Sequence, residues 1–149
     1  MSLTRRHMLT STIGTVACAL SLLAPKRTQG ADEVGDFLWR LTGRKGTLSD
    51  RLHLVMPAEF STGYTVPMEI SVDSPMTKAD FVKSVRVFAP KNPLVEVAQF
   101  HFVPERSLAR VSTRIRLAAP QHVVAAAEMS DGSLLTTSVW VAVATNGCL

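Results

Sequence analysis

Cysteine is the strongest nucleophile this chain offers, and it has two: Cys18 and Cys148. A thiolate attacks sulfur and carbon and binds metals, and its reactivity follows its exposure and the charges around it. Cys18 falls in an opening segment that reads as a removable export signal, so Cys148 is the thiol expected in the working protein. It stands in the closing run Ala144-Thr145-Asn146-Gly147-Cys148-Leu149. Chain termini are the least constrained part of a domain, so a cysteine there is hard to bury on all sides. Gly147 gives the backbone before the thiol freedom and slimness, and Asn146 tolerates unusual backbone angles. Together they read as a flexible arm, Asn146-Gly147, ending in a covalent attachment point at Cys148. Three uses of such a thiol stay open on these residues: a carrier for a bound group, an intermolecular disulfide, or no use at all.

The other reactive residues supply no machinery to drive that nucleophile. His53, His101 and His122 belong to three separate strand-like segments, and none is paired with another ligand at metal-binding spacing, so no metal is expected. No Cys-x-x-Cys occurs, which leaves thioredoxin-type redox chemistry and covalent haem without support. No Gly-x-Ser-x-Gly elbow occurs either, and the carboxylates are scattered rather than paired. Arg110, Arg114 and Arg116 form a basic stripe on one strand face, read as a solvated face before a partner-contacting one. The expectation is a non-catalytic protein without cofactor, whose thiol is acted on by others. An enzyme in its own right has no constellation of residues to speak for it.

The first 30 residues read as an address. Adjacent Arg5 and Arg6 precede an apolar run from Ile13 to Ala24 diluted by Thr, Gly and Ser, with Lys26 and Arg27 after it. That pattern fits a twin-arginine signal and hence a periplasmic protein. The run is too short and polar for a bilayer span of about 20 residues, so no membrane is expected once the segment is gone. Its removal also changes the charge. Of 16 Lys and Arg, four (Arg5, Arg6, Lys26, Arg27) lie in this segment and no acidic residue does, leaving 12 against 12 acidic side chains. A neutral domain lacks the electrostatic footprint of a nucleic-acid binder.

About 119 residues remain, enough for one core. Val34, Phe37, Leu38 and Leu41 at helical spacing, with Gly43 after them, predict a short N-terminal helix and linker over 31–46. The domain spans 47–144, and from Asp50 onward its pattern alternates with period two, interrupted by turn residues. Seven strands follow from it: near Leu52–Met56, Val66–Val72, Val85–Val87, Ala98–Phe102, Ala109–Leu117, Val123–Met129 and Leu135–Val143. Pro67 argues that its strand is an edge, and Asp131-Gly132 signals a hairpin turn. The whole predicts an all-β, immunoglobulin-like two-sheet sandwich with the arm, 145–149, projecting from its last strand.

The sequence resembles the SoxY family, the sulfur-carrier subunit of the periplasmic thiosulfate-oxidising Sox system. The resemblance runs from about Phe37 to Cys148. It is densest in Thr65-Val66-Pro67, Val72-Asp73-Ser74-Pro75-Met76-Thr77, Val87-Phe88-Ala89-Pro90-Lys91-Asn92-Pro93, Phe100-His101-Phe102, Val111–Ala118 and Ala127–Gly132. It implies the same sandwich, a heterodimer with a SoxZ-like subunit, and pathway intermediates held covalently on Cys148. It also implies visits to a haem-containing thiol oxidase, a sulfate-releasing hydrolase and a sulfur dehydrogenase. The family arm usually reads Gly-Gly-Cys-Gly-Gly or stops close after the cysteine. Here Asn146 replaces the first glycine and Leu149 follows the thiol, which leaves room for a divergent paralogue serving another sulfur species.

Overall fold

The computed structural model describes residues 29–144, with side chains from residue 34 onward. Helix α1 (Gln29–Thr42) precedes nine strands: β1 (Thr47–Leu48), β2 (Leu52–Val55), β3 (Glu59–Phe60), β4 (Val66–Val72), β5 (Val82–Phe88), β6 (Glu96–His101), β7 (Arg110–Ile115), β8 (Gln121–Met129) and β9 (Leu134–Val143). The larger sheet has the order β1-β9-β8-β5-β6, with β3 also paired to β9, and the smaller has the order β2-β4-β7. Their inner faces meet in one core. Leu52 and Leu54 of β2 and Val66, Met68 and Ile70 of β4 pack against Val85, Val87, Val123, Ala125 and Val141 of the larger sheet. The two-sheet sandwich with a short helix is therefore the architecture of this chain.

The seven expected strands are β2 and β4 to β9. The two additional ones, β1 and β3, are two residues long and both pair in parallel with β9, at Thr47↔Leu135 and Glu59↔Ala142. A pair of residues carries no periodicity, which is why neither is legible as a strand.

β8 departs from alternation for a physical reason. Val123, Ala125, Ala127 and Met129 face the sandwich core, while Val124 and Ala126 on the opposite face lie under α1. A strand covered on both faces reads as a continuous apolar run. The helix seats Leu38, fully buried, on Phe88, Val124 and Ala126, and Phe37 meets the Phe88 ring edge-on at 6.0 Å. Leu41, in the same stripe, is 45% exposed. The helix stops at Gly43, whose φ of +66° suits glycine and whose N–H donates to the Trp39 carbonyl.

One expectation is corrected. Pro67 lies on β4, the middle strand of the smaller sheet and not an edge. β2, however, pairs only with Glu69 to Val72, so at Pro67 the strand has a single neighbour, β7. There the missing N–H costs the ladder little.

At the far end of β8 the Asp131-Gly132 turn forms as expected. Gly132 has φ +86°, the Ser133 N–H donates to the Asp131 carboxylate at 2.8 Å, and hydrogen bonding from the Ser133 side chain, with that N–H second, holds the Asp131 carboxyl below its usual range.

Candidate functional site

Cys148, Gly147 and Asn146 lie outside the described residues, and so does His7. What the structure does describe is the root from which the arm leaves. β9 pairs with β8 from Leu134 to Val141 on one side. On its other side β1 covers its start and β3 its end. The Ala142 N–H donates to the Ala58 carbonyl at 2.8 Å, and the Ala144 N–H to the Phe60 carbonyl at 3.2 Å. Val143 is buried in the core. The backbone is thus hydrogen-bonded up to the last described residue, and the arm starts from a fixed point.

The loops that close this end are fastened to each other. Leu117 donates its N–H to the Gly63 carbonyl at 2.7 Å, and a Cβ at Gly63 would stand 2.0 Å from the Leu117 carbonyl oxygen. Only glycine allows so close an approach. Gln121, fully buried, accepts from the Lys91 N–H at 2.7 Å and donates to the Asn92 side chain and the Ala119 carbonyl. Asn92 in turn donates to the Arg116 carbonyl at 2.7 Å and accepts from the Ala118 N–H at 2.8 Å. This amide latch joins the β5–β6 loop to the β7–β8 loop. It was not read from the sequence, because two amides 29 residues apart carry no spacing signal.

The latch carries charge on its outside. Lys91 donates to the Pro120 carbonyl at 2.8 Å, its ammonium 5.7 Å from the Trp140 ring, and His122 packs edge-on against that same ring. The Arg116 guanidinium lies 4.8 Å from the Tyr64 ring centre, and Arg114 donates to the Thr65 carbonyl. The basic stripe is exposed, as expected. Its third member, Arg110, sits farther off and pairs with Glu69.

His53, His101 and His122 are exposed on β2, β6 and β8. His53 lies 3.0 Å from the Asp73 carboxylate. Among the described residues no three potential metal ligands come together, and no helix is long and apolar enough to cross a membrane. A cavity of about 170 Å³ under the end of α1 is lined by Arg44, Ser84, Arg86 and Glu128. Its cations are already occupied: Arg86 holds Glu96 through two hydrogen bonds of 3.2 and 2.5 Å, and Arg44 pairs with Glu128.

The sequence model of the sulfur oxidation protein SoxY matches residues 40–148, which is most of the chain and extends through the arm to the cysteine position. The chain belongs to the SoxY family. Among solved structures it is similar to the sulfur carrier protein SoxY from Chlorobium limicola f. thiosulfatophilum, at 23% identity and a TM-score of 0.60, covering 76% of this chain and 98% of that one. It is also similar to a superoxide reductase (neelaredoxin) from Ignicoccus hospitalis, at 14% identity and TM-score 0.56, covering 62% of this chain and 80% of that one. A putative superoxide reductase from Thermotoga maritima matches at 17% and 0.58, covering 66% and 94%. At these identities the likenesses show the shared sandwich alone. No curated protein matches the chain. The motifs that carry the SoxY resemblance divide between the two ends of the sandwich. Val87–Pro93 and Val111–Ala118 supply Lys91, Asn92, Arg116 and Ala118 of the latch near Ala144, while Val72–Thr77 and Ala127–Gly132 run into the opposite end.

Proposed function

We propose that this protein is a periplasmic sulfur carrier that holds thiosulfate-derived intermediates covalently on Cys148 and works as a heterodimer with a SoxZ-like subunit. The observation that carries the reading is the SoxY family match, which runs from within α1 through β9 to residue 148. Support comes from the root of the arm: a strand hydrogen-bonded on both sides leads into a short tether, so the body presents and the arm reaches. The twin-arginine pattern at Arg5 and Arg6 supports export to the periplasm.

The chemistry balances without a cofactor in this chain. A haem-containing thiol oxidase takes two electrons and one proton as the Cys148 thiol and thiosulfate join, giving Cys–S–S–SO₃⁻. A hydrolase then adds water across the terminal S–S bond, releasing sulfate and a proton and leaving the persulfide Cys–S–SH. A sulfur dehydrogenase oxidises the remaining sulfane. In each step this protein contributes position, and its partners contribute electrons or water.

Mass spectrometry tests the reading. The mature protein, without the first 30 residues and so without Cys18, should gain the mass of the thiosulfonate when incubated with thiosulfate and the partner oxidase, and its Cys148→Ser variant should gain none. Equal labelling of the serine variant would refute the assignment.

A further inference from the structure

Three cations gather at the arm end of the sandwich. Elsewhere six cations pair with carboxylates, Arg44 and Lys83 with Glu128, Arg51 with Asp80, Lys78 with Glu105, Arg86 with Glu96 and Arg110 with Glu69, while Arg40, Lys45 and Arg106 make no ion pair among the described residues and lie away from this end. Around the arm root, Lys91, Arg114 and Arg116 make no ion pair among the described residues. Their fixed partners are neutral: the carbonyls of Pro120 and Thr65 and the ring faces of Trp140 and Tyr64. Carbonyls and rings hold a cation in place without cancelling its charge. The segments 57–66, 89–95 and 114–122 that form this end contain one carboxylate, Glu59. The Asn92–Gln121 latch sets Lys91 and Arg116 on one rim, because both loops are bonded to the same amide side chain.

That rim lies within the arm's reach. Four residues separate Ala144 from Cys148, a span of at most about 14 Å when extended. Trp140 lies four residues back along β9, about 13 Å from Ala144. Arg116 adjoins Leu117, which is bonded to Gly63, whose Cβ position is 3.6 Å from a Val143 methyl.

We propose that Lys91 and Arg116, with Arg114 beside them, form a docking site for the anionic end of the group carried on the protein's own arm, a sulfonate of the –S–SO₃⁻ class. The proposal rests on the carrier reading, and it adds that the body binds the cargo as well as presenting it. The ring edges of Trp140 and His122 offer the apolar side of the same site to the sulfane sulfur. These are exposed contacts, so each is worth little alone. Losing either cation should lower the docked-to-undocked ratio roughly two- to fivefold, and high salt should do the same.

The test loads the arm chemically, independent of any pathway enzyme. In full-length protein carrying Cys18→Ser, Cys148 is the sole thiol. Its thiolate attacks a central sulfur of tetrathionate. The central S–S bond breaks, thiosulfate leaves, and Cys–S–S–SO₃⁻ remains, confirmed by mass. A matched sample is capped with neutral iodoacetamide. Proton–nitrogen NMR then follows the Trp140 indole N–H and the Arg116 Nε–H. The anionic cap should shift both signals and the neutral cap neither. Both shifts should be lost at high salt, the Trp140 shift should be lost in Lys91→Gln with Arg116→Gln, and both should be kept in Arg110→Gln, whose arginine pairs elsewhere. Identical spectra for the two caps would overturn the proposal, as would a shift that persists in the double variant. Docking of the chemically loaded cap alongside failure of thiosulfate and oxidase to load Cys148 would instead remove the carrier reading and leave the site standing.

Discussion

A methyl group added at Gly63 would stand 2.0 Å from the Leu117 carbonyl oxygen, 3.2 Å from its carbonyl carbon and 3.6 Å from a methyl of Val143. The obstacle is backbone, so no change of rotamer relieves it. An ordinary contact requires the two loops to part by more than an ångström, and the 2.7 Å bond from the Leu117 N–H to the Gly63 carbonyl joins them at that place. Losing a backbone hydrogen bond costs about 1 kcal/mol, and overpacking a fixed site costs about 1–3 kcal/mol more. The narrower unfolded ensemble of alanine returns up to ~1 kcal/mol. Gly63→Ala should therefore destabilise the protein by about 1–3 kcal/mol and lower its melting midpoint by roughly 4–12 °C. Urea unfolding followed by tryptophan fluorescence measures this. Gly35→Ala is the matched control: it lies in α1 with nothing within 4 Å of the added methyl, and the same substitution there should stabilise by about 0.5–1 kcal/mol. If Gly63→Ala unfolds within about 0.5 kcal/mol of the parent, the two loops are not held together as the close approach implies.

Two further outcomes follow from the packing and the charges. Leu38 is the fully buried residue by which α1 grips the outer face of the larger sheet, so Leu38→Ala should cost about 2–4 kcal/mol; a loss under about 1 kcal/mol would mean that burial there does not hold the helix. The Glu96 carboxyl is held below its ordinary value of 4.5 by the hydrogen bonds from Arg86, against a smaller opposing effect of burial. A depressed folded-state value contributes stability that is complete above the unfolded value and disappears as pH falls through the folded one. The parent should accordingly lose more stability than Glu96→Gln as the pH is lowered from about 6 to about 3, and equal losses would refute the assignment.

Period-two alternation was enough to place seven strands, because each has one face in the sandwich core, as in Leu52 and Leu54 or Val66 to Val72. It could not reveal β1 and β3, whose placement is decided by the open edge of β9 rather than by their own side chains. Pro67 misled for a related reason: the lack of a donor matters only where a neighbour asks for one, and β2 stops short of it. The helix stripe was legible, but which part of it is covered was not: α1 seats Leu38 fully, with Val34 and Phe37 partly buried, and leaves Leu41 exposed. The arm residues Asn146, Gly147 and Cys148 were legible as chemistry and lie outside the described residues. The surroundings of the arm were not legible at all. Lys91, Asn92, Arg116 and Gln121 meet only when two loops from different strand pairs fold to the same end.

A carrier must hold its cargo and also give it up, and the dimensions at the arm end satisfy both demands. With the opening segment removed the chain is neutral, so the field at the rim is local rather than a property of the whole molecule. Exposed charges interact over a screening length of about 8 Å at physiological ionic strength. On the proposed docking, an arm folded back along β9 would bring an anionic group inside that distance of Lys91 and Arg116. Four extended residues would carry it at most about 14 Å from the root. Exposed ion pairs are worth about 0.2–1 kcal/mol each, comparable with thermal energy, so leaving the rim needs no enzyme to drive it. A buried, carboxylate-free cation pocket would bind the sulfonate far more tightly and would retain it against every partner. An exposed rim with neutral supports would, on the proposed docking, hold the anionic group weakly enough for a competing site of stronger charge to take it over.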